Sequence, residues 1–137
     1  MFQKIVVVGN LGNDPEMRYM PDGRAVTNFS VATNRRWTNG DGNRGEETTW
    51  FRVAVWGNQA EACNQYLSKG RRVLVEGRLA PDPNTGGPKT FVRRDGAIGA
   101  SFEVVAQSVT FMGGNGGSED HQASNDMPEE DENDIPY

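Results

Sequence analysis

Residues 50–56 read Trp-Phe-Arg-Val-Ala-Val-Trp, the most informative segment of the chain. Side chains alternate between the two faces of an extended strand. Phe51, Val53 and Val55 therefore share one face, and Trp50, Arg52, Ala54 and Trp56 share the other. The first face is wholly apolar and suits a core. The second sets a guanidinium between two indoles, with a small residue leaving room beside it.

Reading outward, the alternation begins at Thr48, and more strand patterns precede it. Phe2 to Leu11 is rich in Val and Ile and ends at the breaker cluster Gly12-Asn13-Asp14-Pro15. Pro21-Asp22-Gly23 signals a turn into a second strand, Ala25 to Thr33, with apolar Val26, Phe29 and Val31. Asn39-Gly40-Asp41-Gly42-Asn43 is then a loop leading to the third strand. After Trp56 the period changes: Ala60, Cys63 and Leu67 lie on one face of a helix spanning Asn58 to Lys69. Glu61 falls in its first turn, Lys69 in its last, and Gly70 is the stop. Arg72 to Leu79 reads as strand, with Val73, Val75, Gly77 and Leu79 on one side. Pro81 to Gly99 is loop-rich, and Ser101 to Phe111 is the last strand.

Three strands, one short helix and two strands fit an all-β fold, the five-stranded oligonucleotide-binding barrel (OB-fold) with its helix between strands three and four. An immunoglobulin-type sandwich needs about seven strands and no helix at that point.

The formal charge of −5 conceals an asymmetry. All 14 Lys and Arg lie in residues 1–112 with 11 acids, leaving +3, whereas residues 113–137 carry 8 acids and no base. The boundary is Gly113-Gly114-Asn115-Gly116-Gly117, after which few residues can build a core. The expected organisation is a binding domain over 1–112, a flexible linker over 113–127 and an acidic interaction tip over 128–137, the tail being disordered in isolation.

Single Cys and His residues, Cys63 and His121, exclude an internal disulfide, a Cys-based zinc site and a multi-histidine metal site as readings of one chain. No metal or cofactor is expected. The glycine spacings match neither a phosphate loop nor a dinucleotide fingerprint, so an enzyme is not expected. Neither a secretory signal nor a membrane span is evident, which makes the cytoplasm the expected location.

The Trp50-Arg52-Trp56 face has the chemistry that single-stranded nucleic acid requires. Unstacked bases offer open π-faces to aromatic rings, and arginine can meet phosphate or stack as a planar cation. An oligomer interface or a second hydrophobic layer would use the same tryptophans, and the face pattern leaves these readings open. Trp37 follows Arg35 and Arg36 beside the Gly- and Asn-rich loop; it is a further stacking candidate or a plug at the barrel end. Arg72, Phe91 and Arg93 are further candidates, and Arg71 and Arg94 adjoin them.

The chain resembles the bacterial-type single-stranded DNA-binding proteins. The resemblance is carried by IVVVGNLGNDPEMRY at 5–19, Pro21-Asp22-Gly23, Asn28 to Thr33, Trp50-Phe51-Arg52-Val53, Trp56-Gly57, Tyr66 to Gly70 and Glu76 to Leu79. It implies a homotetramer that binds single-stranded DNA on Trp37, Trp50 and Trp56 during replication, recombination and repair. Residues 80–99 depart from the family pattern, where a short basic segment, a Trp and a hairpin are usual; Ala80 to Pro88 intervene before Phe91, which stands nearest that Trp.

The chain ends Asp134-Ile135-Pro136-Tyr137 after an acidic run. This is similar to the family's tip, which ends in Phe and binds replication, recombination and repair proteins. Apolar groups behind carboxylates suit a pocket rimmed by basic residues. An RNA-binding module or a protein-interaction adaptor of the same barrel class remains the alternative, because stacking aromatics do not distinguish ribose from deoxyribose.

Overall fold

A computed structural model describes residues 1–113. Its elements run β1 (Ile5–Leu11), β2 (Glu16–Tyr19), β3 (Ala25–Thr38), β4 (Arg44–Trp56), α1 (Asn58–Tyr66), β5 (Arg72–Leu79), β6 (Lys89–Val92) and β7 (Ile98–Phe111). The linker and tip expected over 113–127 and 128–137 lie outside the described residues from position 114 onward, as do Asp134, Ile135, Pro136 and Tyr137.

Five strands close a barrel. β1 pairs with β5, β5 with β7, β7 with β4 and β4 with β3. β3 returns to β1 through Asn10↔Ala32 and Leu11↔Val31, so no edge is left in the ring. Every contact in it is antiparallel except β4 with β7. The inward face predicted for β4 is the core face: Val53 and Val55 are buried against Phe29, Val31, Val75 and Val104. Each fully buried valine side chain contributes roughly 1.5–3 kcal/mol of apolar burial, which favours a barrel over open strands.

Helix α1 covers the β3–β4 side, presenting Ala60 and Cys63 inward as the period predicted. The buried Thr27 hydroxyl donates to the Ala60 carbonyl at 2.6 Å, satisfying a polar group at the helix–barrel contact. The helix ends at Tyr66, before the expected Lys69, because Leu67 turns to extended backbone. The chain beyond it is held by the barrel. The Lys69 amide donates to Asp14 Oδ1 at 2.9 Å, and the Gly70 amide to the Leu11 carbonyl at 2.9 Å. Leu67 remains buried, so the predicted apolar face is retained although its last residue lies outside the helix.

Other features also depart from the sequence reading. First, β3 and β4 extend to Thr38 and from Arg44, forming an arm beyond the barrel in direct register, Arg35↔Glu47 and Arg36↔Glu46. Both its faces are largely solvated, so the arm shows none of the apolar alternation by which a strand is read. Second, the loop-rich stretch contains β6, which pairs with β7 as a short hairpin from Lys89↔Ser101 to Val92↔Ile98. The short β2 on the edge of β3 is likewise unpredicted. Third, β7 buries both Val104 and Val109, positions of opposite parity. The register passes from Glu76↔Ser108 to Gly77↔Ala106, leaving Gln107 unmatched, and this bulge reverses which face turns inward. Gly77 is needed there, since a Cβ would lie 2.1 Å from the Val105 carbonyl oxygen. Leu79, read as inward, is exposed at the end of β5.

Candidate nucleic-acid interface

The outer face of β4 carries Trp50, Arg52 and Trp56, all exposed, as the alternation requires. Register extends this face sideways. Arg52 is paired with Ser30 on β3 and with Glu103 on β7. From Glu103 the same face runs along β7 to Ser101 and Gly99, which lie opposite Lys89 and Phe91 on β6. Lys89 Nζ meets Glu103 Oε1 at 3.3 Å. Phe91 and Arg93 both lie over Gly99, so the β6–β7 hairpin continues the β4 surface. A groove of about 320 Å³ between β4 and β6 is lined by Arg52, Trp56, Lys89 and Glu103, with Asn13 and Asn28.

The four aromatics remain partly covered although they face solvent: Trp50 is 54%, Phe91 44%, Trp37 38% and Trp56 37% exposed. Each leans on a specific neighbour. Trp50 reaches past β3, over the small Ala32 side of the sheet, to Gly12. Trp37 rests on its register partner Gly45, and Phe91 on its partner Gly99. Trp56 is covered by Arg24, whose Cζ stands 4.7 Å from the ring centroid. Arg24 is in turn held by Asp22, Nε to Oδ2 at 2.9 Å. The Arg24 backbone amide and guanidinium, both donating to Asp22, hold that carboxyl below its ordinary value.

The structure separates other candidates from this face. On β3, odd positions share the parity of Phe29 and Val31, so Trp37 and Arg35 lie on the opposite face of the β3–β4 ribbon from Trp50. There the Arg35 Cζ stands 4.7 Å from the Trp37 ring centroid, and Arg35 approaches Glu47 at 3.9 Å. Arg36, one residue earlier than Trp37, returns to the Trp50 side and approaches Glu46 at 3.7 Å. Arg72 lies on β5, two strands from β4, with its Nε donating to Asn10 Oδ1 at 3.1 Å. The predicted residues are thus grouped as Trp50, Arg52, Trp56, Phe91, Arg93 and Arg36 on one surface, Trp37 and Arg35 behind the arm, and Arg72 round the barrel.

Sequence reasoning missed Arg24 and Lys89. Neither adjoins an aromatic in sequence; strand pairing brings them to Trp56 and the groove. Among the described residues no group of His, Cys, Asp and Glu could hold a metal ion. No helix there is long and apolar enough to cross a membrane.

A closed five-stranded barrel with its helix between the third and fourth barrel strands is the oligonucleotide-binding fold. Residues 2–112 match the model of the single-strand binding protein family. The chain belongs to that family. It is 39% identical over 111 residues to a single-stranded DNA-binding protein of Neisseria meningitidis, covering 81% of this chain and 60% of the relative. It is 37% identical over 131 residues to single-stranded DNA-binding protein 1 of Chlorobaculum tepidum, covering 91% and 75% of the two chains. The match thus spans less than two thirds of the Neisseria relative's length. Among solved structures, the Plasmodium falciparum SSB complex with ssDNA superimposes with TM-score 0.66 at 26% identity, covering 82% of this chain and 97% of that one. The small single-stranded DNA-binding protein of Streptomyces coelicolor shares the fold, with TM-score 0.66 at 24% identity and coverage of 80% and 94%.

Proposed function

We propose that this protein binds single-stranded DNA irrespective of sequence, by stacking bases on exposed aromatics and pairing phosphates with Arg and Lys. The observation that carries this reading is the continuous outer surface from Trp56 and Arg52 on β4 to Lys89 and Phe91 on β6. Stacking tolerates any base, because every base has a π-face, whereas sequence readout needs fixed donors aimed at base edges. A family relative of the same fold is described in complex with ssDNA, which supports the choice of ligand.

Trp37 with Arg35, and Arg72 beyond them, serve a strand that wraps from one face of the barrel to another. Wrapping needs more surface than one barrel has, and the chain offers a face for assembly: Val6 and Val8, on the outside of β1, are 54% and 45% exposed. A homotetramer joined partly through this face would carry about +12 over its four 1–112 domains, a field suited to a long polyanion. The terminal Asp134-Ile135-Pro136-Tyr137 recruits proteins of replication, recombination and repair in the cytoplasm, the apolar groups entering a pocket and the carboxylates meeting basic residues around it.

Titration with poly-deoxythymidine, followed by tryptophan emission, tests the proposal. Bases stacking on indoles quench emission, and the affinity falls with salt by roughly 0.7 log units per log unit for each phosphate neutralised. No quenching rejects the reading. Tighter binding to RNA or to duplex replaces it with a different nucleic-acid module.

A further inference from the structure

Most glycines that the structure describes have an evident backbone reason. Gly23, Gly42, Gly57, Gly70, Gly86 and Gly96 have φ between 78° and 93°, where a side chain is strained. At Gly9 and Gly77 a Cβ would lie 2.3 Å from the Ala32 carbonyl oxygen and 2.1 Å from that of Val105, so neighbouring backbone excludes it.

Gly12, Gly45 and Gly99 differ from both groups. None has positive φ, and the nearest atoms to an added Cβ belong to side chains. At Gly45 it would meet Trp37 Cε2 at 2.3 Å, Cζ2 at 2.4 Å and Nε1 at 2.6 Å. At Gly99 it would meet Phe91 Cζ at 2.7 Å and Arg93 Nε at 3.0 Å, and at Gly12 the Trp50 ring at 2.4 Å. Gly45 and Gly99 are paired residues, each second in its strand, β4 and β7, and glycine weakens a strand through lost packing and chain entropy. The residue against each is an exposed aromatic proposed to stack on bases, and no other glycine that the structure describes has a ring so placed.

We infer that Gly45 and Gly99 are positioning residues, seats that let the Trp37 and Phe91 rings settle onto the backbone of the paired strand. Gly12 does the same for Trp50. A seated ring has little freedom left to lose when a base stacks on it, which is how a preorganised site gains affinity. A Cβ beneath the ring lifts and tilts it, because both Cα atoms are fixed by the ladder while the ring can turn about its χ angles. This inference rests on the base-stacking reading of Trp37 and Phe91 above.

The test is a double-mutant cycle in the full chain, with affinity for a dye-labelled oligo-deoxythymidine measured by anisotropy and thermal midpoints recorded for each variant. Loss of one stacking contact lowers affinity roughly 5- to 150-fold. Gly45→Ala is expected to lose most of what Trp37→Ala loses, and to add nothing in the Trp37→Ala background. Gly99→Ala and Phe91→Ala should behave as a second such pair. Gly40→Ala, in the same arm with nothing within 4 Å of its Cβ, is the control and should leave affinity within about twofold. If Trp37→Ala weakens binding but Gly45→Ala does not, the seat is refuted while the stacking reading stands. An equal effect of Gly45→Ala with and without Trp37 also overturns it, since the glycine would then act through the arm itself. If neither Trp37→Ala nor Phe91→Ala changes affinity, stacking at these rings fails, and the seats with it.

Discussion

The guanidinium of Arg24 stands 4.7 Å from the centroid of the Trp56 ring and is held there by Asp22, with Nε to Oδ2 at 2.9 Å. A cation over an exposed indole contributes about 0.5–1 kcal/mol, which is less than a base stacked on the same face. With DNA bound as proposed, a base stacking on Trp56 displaces Arg24 and frees its guanidinium for a nearby phosphate. Arg24→Ala is expected to reduce the slope of log affinity against log salt by about 0.7, one phosphate contact. An unchanged slope would show that Arg24 stays on Trp56 throughout.

Trp50 and Trp56 face solvent, whereas Val53 between them is buried. Trp50→Ala and Trp56→Ala should each cost roughly 1–3 kcal/mol of binding and leave a folded barrel by circular dichroism. Val53→Asp places a carboxylate in the core, at a cost of several kcal/mol against a typical net stability of about 5–15 kcal/mol, and should yield no soluble folded protein. Unfolding of both Trp variants would make those rings structural.

Eight acids follow residue 112 with no base among them, tethered to a domain of charge +3. On the proposed function these acids compete with DNA phosphates for the same cations, more weakly as salt screens them. Deletion of residues 118–137 should tighten binding at low salt, leave it unchanged at high salt and abolish partner recruitment. Equal low-salt affinities of the two forms rule out the competition.

Val6 and Val8 offer an apolar outer face on β1. Val6→Glu with Val8→Lys should lower the sedimenting mass towards that of one chain without altering the far-ultraviolet spectrum. An unchanged mass would place the interface elsewhere.

Burial pushes the Cys63 thiol up to about 11. Unfolded, it ionises near the ordinary value of about 8.5. The folded chain thus favours the protonated form, and the associated stability, complete below about 8.5, is lost as pH rises towards about 11. Cys63→Ala should flatten that part of the stability–pH profile. In the native chain at pH 8, iodoacetamide should label Cys63 far more slowly than in denaturant.

Much of this protein is determined by local sequence alone. The alternation of 50–56 assigns two faces to β4, and the structure places Val53 and Val55 inside and Trp50, Arg52 and Trp56 outside. The spacing of Ala60, Cys63 and Leu67 likewise identifies the helix face, because burial on one side leaves a periodic trace in the chain. The arm of β3 and β4 leaves no such trace, since polar residues cover both sides and cross-strand hydrogen bonds, which any sequence can make, hold it. Which distant residues meet is set by the pairing of strands far apart in the chain: Arg24 over Trp56, Phe91 beside the β4 face, Trp37 behind the ribbon. Those meetings depend on strand register, and register is a property of paired strands that no one segment specifies.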